Sequence, residues 1–265
     1  MKRSMAPKYP ISNRWSRGFT LVELMIAVTV TLFLIGGALA MLQSTRTTFA
    51  VQNQLAQFQD NERLVMTFMA EVIESAGYTP SPQTYANTTV LPVSGVNFST
   101  AGQAVYGTFN AAAPGDTVTI RYGAALNDNI FNCAGTTNIT TGPYDMFTNR
   151  FWVDNTVASN PVLTCTFTPA STNVAVNVPL VNGVSKLTIL YGVKRSIAAN
   201  SGSCADTYLN ASQMLPADWM EVCSVSITAA FKNPLNAGPN PLNTGPATIS
   251  VTRVVAVMNW AGANT

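Results

Sequence analysis

Residues 17–37 read "RGFTLVELMIAVTVTLFLIGG", an apolar run that opens on a basic residue and a glycine and carries one carboxylate, Glu23, near its start. From Leu24 to Thr45, 22 residues, nothing is charged. A helix of that length spans about 33 Å at 1.5 Å per residue, which matches the hydrocarbon core of a bilayer. An ionised carboxylate in hydrocarbon costs about 2.5–3.5 kcal/mol on insertion scales, so an acid at the mouth of such a segment is expected to serve a function. The plain alternative is a carboxylate that snorkels to the interface.

Lys2, Arg3, Lys8, Arg14 and Arg17 precede the run, with no acid among the first 18 residues. The positive-inside rule therefore leaves the N-terminus in the cytoplasm and sends the rest outward. A secretory signal is cut behind its apolar region. Here the conspicuous junction, Gly18–Phe19, lies in front of it. A cut there removes five charges and leaves the membrane helix on the protein. The intact chain has a net charge of +2, from fourteen basic and twelve acidic residues. Without the leader nine basic residues remain, for a net charge of −3, and a bulk-charge case for nucleic-acid binding disappears.

The stretch "RGFTLVELMIAVTV" resembles the processing motif of type IV prepilins and pseudopilins. The resemblance implies that a prepilin peptidase cuts after Gly18, that Phe19 becomes an N-methylated first residue, and that Glu23, fifth in the mature chain, is the family's assembly glutamate. Elementary electrostatics agrees. Cleavage creates an amine at Phe19, one helical turn from Glu23, and the two can pair within a chain as i and i+4 neighbours do. Between packed subunits the same pairing would fix axial register.

The helix is expected to continue past the membrane. No Pro or Gly interrupts residues 38–76, and Gly77 and Pro80 follow as stop signals. Val51, Leu55, Phe58, Val65, Met69, Val72 and Ala76 recur at three- and four-residue spacing with one skipped position at Glu62, a stripe suited to a domain core. Gly36-Gly37 is a candidate kink. The division expected is a leader over 1–18, a membrane and assembly half-helix over 19–45, a periplasmic half-helix over 46–77, and a β-rich globular domain over 78–265.

Beyond Pro80, Thr, Asn, Ser, Gly and Pro become frequent and short alternating stretches appear. "TVTIRY" sets Val118, Ile120 and Tyr122 on one face, and "KLTILYGV" does so with Leu187, Ile189, Tyr191 and Val193. "EVCSVSITAAF" alternates Cys223, Val225, Ile227, Ala229 and Phe231, and "TISVTRVVAVMNW" is a closing strand. "NPLNAGPNPLNTGPA" between the last two reads as an exposed loop. The fold class expected is α+β, pilin-like: a long N-terminal helix packed on an antiparallel β-rich domain with long loops and one short extra helix. "VPLVNGVSKLTILYGV", "DWMEVCSVSITAAF" and "RVVAVMNW" are similar to PilW-type minor pilins, with Met258 where that group usually has arginine.

Four cysteines and no histidine narrow the chemistry. Without histidine there is no His-based triad, His metal site or imidazole acid–base pair. The cysteines never form C-x-x-C, so neither a zinc ribbon nor a thioredoxin-like motif is indicated. All four follow the membrane segment, as suits disulfides in an oxidising compartment, although buried free thiols are the plain alternative. Of three possible connectivities, Cys133–Cys165 and Cys204–Cys223 are favoured because each pair flanks one loop region.

Asp116 and Asn127-Asp128-Asn129 lack the spacing of a calcium loop and read as turns. Asn138-Ile139-Thr140 matches a glycosylation sequon of little weight in a bacterial setting. Trp152, Trp219 and Trp260 read as core or domain-edge residues rather than a ligand platform. No nucleophile elbow, P-loop or dinucleotide fingerprint occurs. The expectation is a minor pilin, not an enzyme, without cofactor, metal, nucleic-acid or small-molecule partner. Its partners would be the prepilin peptidase, the inner membrane, other minor pilins and the major pilin, first as a single-pass precursor and then on the pilus. The rivals are a type II secretion pseudopilin, a tip-displayed adhesin or DNA-uptake pilin, and a membrane-tethered enzyme.

Overall fold

The computed structural model describes residues 18–195, 204–236 and 245–257. The leader charges Lys2 to Arg17, Met258, Trp260 and the middle of the 233–247 loop lie outside the described residues. The chain divides into two compact units, Met1–Asn53 and Gln54–Thr265.

Helix α1 (Leu21–Glu74) begins in the first unit and ends in the second. In the first unit every described residue is exposed. Helix-compatible apolar residues fill the segment, and its threonines are satisfied internally. Thr29 Oγ1 donates to the Met25 carbonyl at 3.0 Å and Thr31 Oγ1 to the Ala27 carbonyl at 2.6 Å. This back-bonding hides hydroxyls that hydrocarbon could not solvate. Gly36 and Gly37 lie inside the helix without interrupting it.

In the second unit α1 becomes one-sided. Val65, Met66, Met69, Ala70, Val72 and Ile73 are buried, while Leu64 and the acids Glu71 and Glu74 face solvent. The expected stripe is therefore shorter than its spacing suggests. Val51 is exposed, Leu55 and Phe58 are half-buried, and full burial starts at Val65. Phe58 meets Phe231 edge-on, ring centroids 5.4 Å apart. The helix ends at Glu74, and Gly77 supplies the left-handed turn (φ 77°) that lets its N–H reach the Arg121 carbonyl at 2.9 Å.

Two antiparallel sheets follow. The first is a five-stranded meander: β1 (Val105–Thr108), β2 (Thr117–Ala124), β3 (Asp145–Asp154), β4 (Val162–Pro169) and β5 (Val176–Asn182), paired in chain order. The second holds β6 (Val184–Val193), β7 (Thr207–Leu209), β8 (Ser224–Lys232) and β9 (Thr248–Ala256) in the order β7-β6-β8-β9. A short helix, α2 (Asn87–Val90), precedes β1. The long-helix and antiparallel-sheet architecture matches the sequence expectation. The alternating residues of β2, β6 and β8, namely Val118, Ile120, Tyr122, Leu187, Ile189, Tyr191, Val193, Val225, Ile227, Ala229 and Phe231, are all buried.

The chain changes sheets at Asn182-Gly183, and the sheets are stitched together at a second place. Gly115 forms a parallel bridge with Leu187. The Asp116 N–H donates to the Leu187 carbonyl at 2.8 Å, and Asp116 Oδ2 accepts the Ile189 N–H at 2.8 Å. Gly115 sits at φ 93°, and a Cβ there would lie 2.0 Å from the Leu187 oxygen, so only glycine fits the joint. Arg121, on β2, is fully buried, with no carboxylate partner among the described residues. Its guanidinium donates to the Gln103 carbonyl at 2.6 Å and the Pro92 carbonyl at 2.9 Å, and it stacks 3.8 Å from the Phe98 ring centre. Burial lowers it to about 10, so it stays charged at physiological pH. It ties the 91–103 loop to the sheet.

Two disulfides hold loops to this frame. Cys133 in the β2–β3 loop is bonded to Cys165 on β4, Cα atoms 6.3 Å apart, and Cys204 to Cys223, Cα atoms 6.0 Å apart. The second encloses Trp219, which lies buried against Tyr191 and Tyr106 at 4.8 and 5.1 Å between ring centres.

Candidate functional site

Gly18, Phe19 and Thr20 are non-helical and exposed, and α1 starts at the next residue. Phe19 is 78% exposed, and a Cβ built on Gly18 would meet nothing within 4 Å. The junction is therefore an exposed, non-helical peptide directly in front of a helix.

Thr20 defines where the helix begins. Its hydroxyl accepts the Glu23 N–H at 3.3 Å, and its carbonyl accepts the Leu24 N–H at 3.1 Å. Thr20 is thus the N-cap and Glu23 the third helical residue, the T-x-x-E spacing of a capping box. The sequence reading missed Thr20, although that spacing was there to find. Glu23 lies in the first turn and is exposed. A carboxylate there meets the positive end of the helix dipole. An amine created at Phe19 would stand one residue outside the cap, on the same end of the helix as Glu23. One end of one helix thus carries the junction, the cap and the only acid among residues 18–59.

The residues set aside in the domain behave as local structure. Asp128 accepts the N–H groups of Ala125 and Ile130 at 2.6 and 3.0 Å between two left-handed asparagines, Asn127 and Asn129. Asp116 is consumed by the sheet joint. Asn138 is buried, its amide on the Ala124 carbonyl at 2.7 Å. Trp219 is a core residue, whereas Trp152 lies half-buried on the outward face of β3.

Two family models match the chain. Residues 16–39 match one described as the prokaryotic N-terminal methylation motif, and residues 150–257 match one described as Type IV Pilus-assembly protein W. No curated protein matches it. The first match covers the junction, the cap and Glu23. The second covers β4 to β9 and the second half of β3. The chain is prepilin-like and most like the PilW type, and the two matches together support a minor pilin related to type IV pili.

Proposed function

We propose that this prepilin-like chain is cut after Gly18, methylated on Phe19, and drawn from the inner membrane into a type IV pilus as a minor subunit that primes assembly near the tip. The observation that carries the reading is the coincidence at one helix end of an exposed glycine junction, a Thr20 cap and an exposed first-turn Glu23. Before extraction the apolar half of α1 anchors the chain in a single pass, the N-terminus in the cytoplasm and the β domain in the periplasm. An 18-residue window of α1 has a mean hydropathy of 2.4, enough to hold it there.

The work is non-covalent. Large apolar side chains from Leu21 to Leu42 are all exposed, and burying each is worth about 1.5–3 kcal/mol. The segment must therefore exchange lipid for neighbouring helices rather than water. Glu23 then meets the Phe19 amine of a subunit already in the fibre, and this pairing sets the step between subunits. The peptidase, the major pilin and other minor pilins are the partners this role requires.

Glu23→Ala as the sole copy tests the role. It removes the charge while easing membrane insertion, so the variant should be inserted and processed normally yet be absent from sheared fibres, with fibre number reduced. Normal piliation with the variant present in the fibres would overturn the proposed pairing.

A further inference from the structure

We propose that the outward face of the first sheet carries a binding site for an acidic pyranose, a uronate unit of a polysaccharide, built from Arg150, Trp152 and Asn177. The site goes beyond the assembly role and does not depend on it.

Strand β3 sends Phe147, Asn149, Phe151 and Val153 into the core and Thr148, Arg150 and Trp152 outward. The outward tryptophan is pinned. Its Nε1–H donates to Thr166 Oγ1 at 2.9 Å, and the Thr166 hydroxyl donates to Asn177 Oδ1 at 2.7 Å. This chain of bonds runs across β3, β4 and β5 and fixes the indole diagonally over the sheet. Because the indole N–H is already satisfied, what Trp152 offers a ligand is its ring. The Asn177 side-chain NH₂ donates to no other group among the described residues.

Arg150 is exposed, and its guanidinium stands 5.8 Å from the centre of the Trp152 ring. Among the described residues the one ion pair is Arg195–Asp218, so Arg150 has no carboxylate partner. Arg121 spends its guanidinium on the Gln103 and Pro92 carbonyls and the Met146 sulfur, whereas Arg150 makes no side-chain hydrogen bond among the described residues. Register places Arg150 opposite Thr166 and Thr166 opposite Asn177. With strands about 4.8 Å apart, Arg150 and Asn177 stand about 10 Å apart beside the indole. That is room for one six-membered sugar ring with its substituents.

The donors select the occupant. One unpaired cation and one free amide call for a ligand with a single carboxylate and further oxygen acceptors, and guanidinium takes a carboxylate in a bidentate fork. The apolar C–H face of a pyranose packs on the indole as the guanidinium, which lies over the ring in the free protein, turns to the carboxylate. A nucleic acid strand needs a basic groove tracking successive phosphates. Here the neighbouring outward positions are Thr119, Thr148 and Thr168, with Thr164 buried and Asp154 at the strand end. The uronate fits and the polyphosphate does not.

The test is calorimetric titration of the full-length chain in detergent with trigalacturonate, with maltotriose and a short thymidine oligomer as comparators. Saturable trigalacturonate binding is expected, weakened at least tenfold by Arg150→Gln and about threefold by Asn177→Ala. Thr168→Ala should leave it unchanged, and near-ultraviolet circular dichroism should show each variant folded. Trp152→Phe keeps a ring and should retain part of the affinity. Absence of trigalacturonate binding, equal binding of maltotriose, indifference to Arg150→Gln, or tighter binding of the thymidine oligomer would each overturn the proposal.

Discussion

Residues 24–42 and 65–74 belong to one helix and are both rich in apolar side chains, yet their fates are opposite. In the first stretch Leu24, Leu32, Phe33 and Leu39 are all more than half exposed; in the second Val65, Met69, Ala70 and Ile73 are at most 1% exposed. The difference lies in the pattern. The first is apolar on every side, more than any single core contact could use, and such a surface serves an external solvent or partner. The second is apolar on one stripe, with Glu71 and Glu74 on the other side, and serves its own domain.

Placing a charge in each stretch is the strongest way to break that comparison. Ile73→Asp buries an unpaired carboxylate and should cost the β domain more than about 4 kcal/mol, seen as loss of its cooperative unfolding transition. Leu32→Asp should leave that transition unmoved and act on membrane insertion alone. If both variants lowered the domain's stability equally, the division of labour along α1 would be wrong. Next in size is Cys223→Ser. It opens a link between positions 19 apart in sequence, worth about 3 kcal/mol in the chain-entropy model, and should release Trp219 fluorescence without touching the exposed helix.

Gly115→Ala should cost about 1–3 kcal/mol, because the added methyl has no room against Leu187 at the joint between sheets. The smallest effect belongs to Asp218, which is held below its ordinary value of 3.8 by hydrogen bonding to Arg195. A lowered carboxylate adds stability above its unfolded-state value that fades as pH falls through the folded one. Acid titration below pH 3.8 should therefore loosen the loop around Trp219 slightly, and Asp218→Asn should remove that dependence.

How much of this was legible in sequence varied with how local the signal was. Gly18, Phe19 and Glu23 form a linear motif, readable at once. Strands β2, β6 and β8 alternate without a break, and each was visible. In β3 the core position 149 is an asparagine, kept because its Oδ1 takes the Cys133 N–H at 2.9 Å. That polar residue broke the alternation and hid the strand. Pro179 did the same for β5. Gly115 sits in a stretch that reads as a turn, and nothing local tells that it meets Leu187 some seventy residues on. The alignment of Arg150, Thr166 and Asn177 is set by register across three strands, which no single stretch records.

The central claim is that the apolar helix stays on the protein while the charged leader leaves it. Mass spectrometry of the N-terminal peptide from chains recovered in sheared fibres tests this most directly. The expected peptide begins at Phe19 with one added methyl group on its amine, and Gly18 replaced by a bulky residue should block its appearance. Fibre-associated chains that still begin at Met1, or that begin beyond Leu42, would contradict the account.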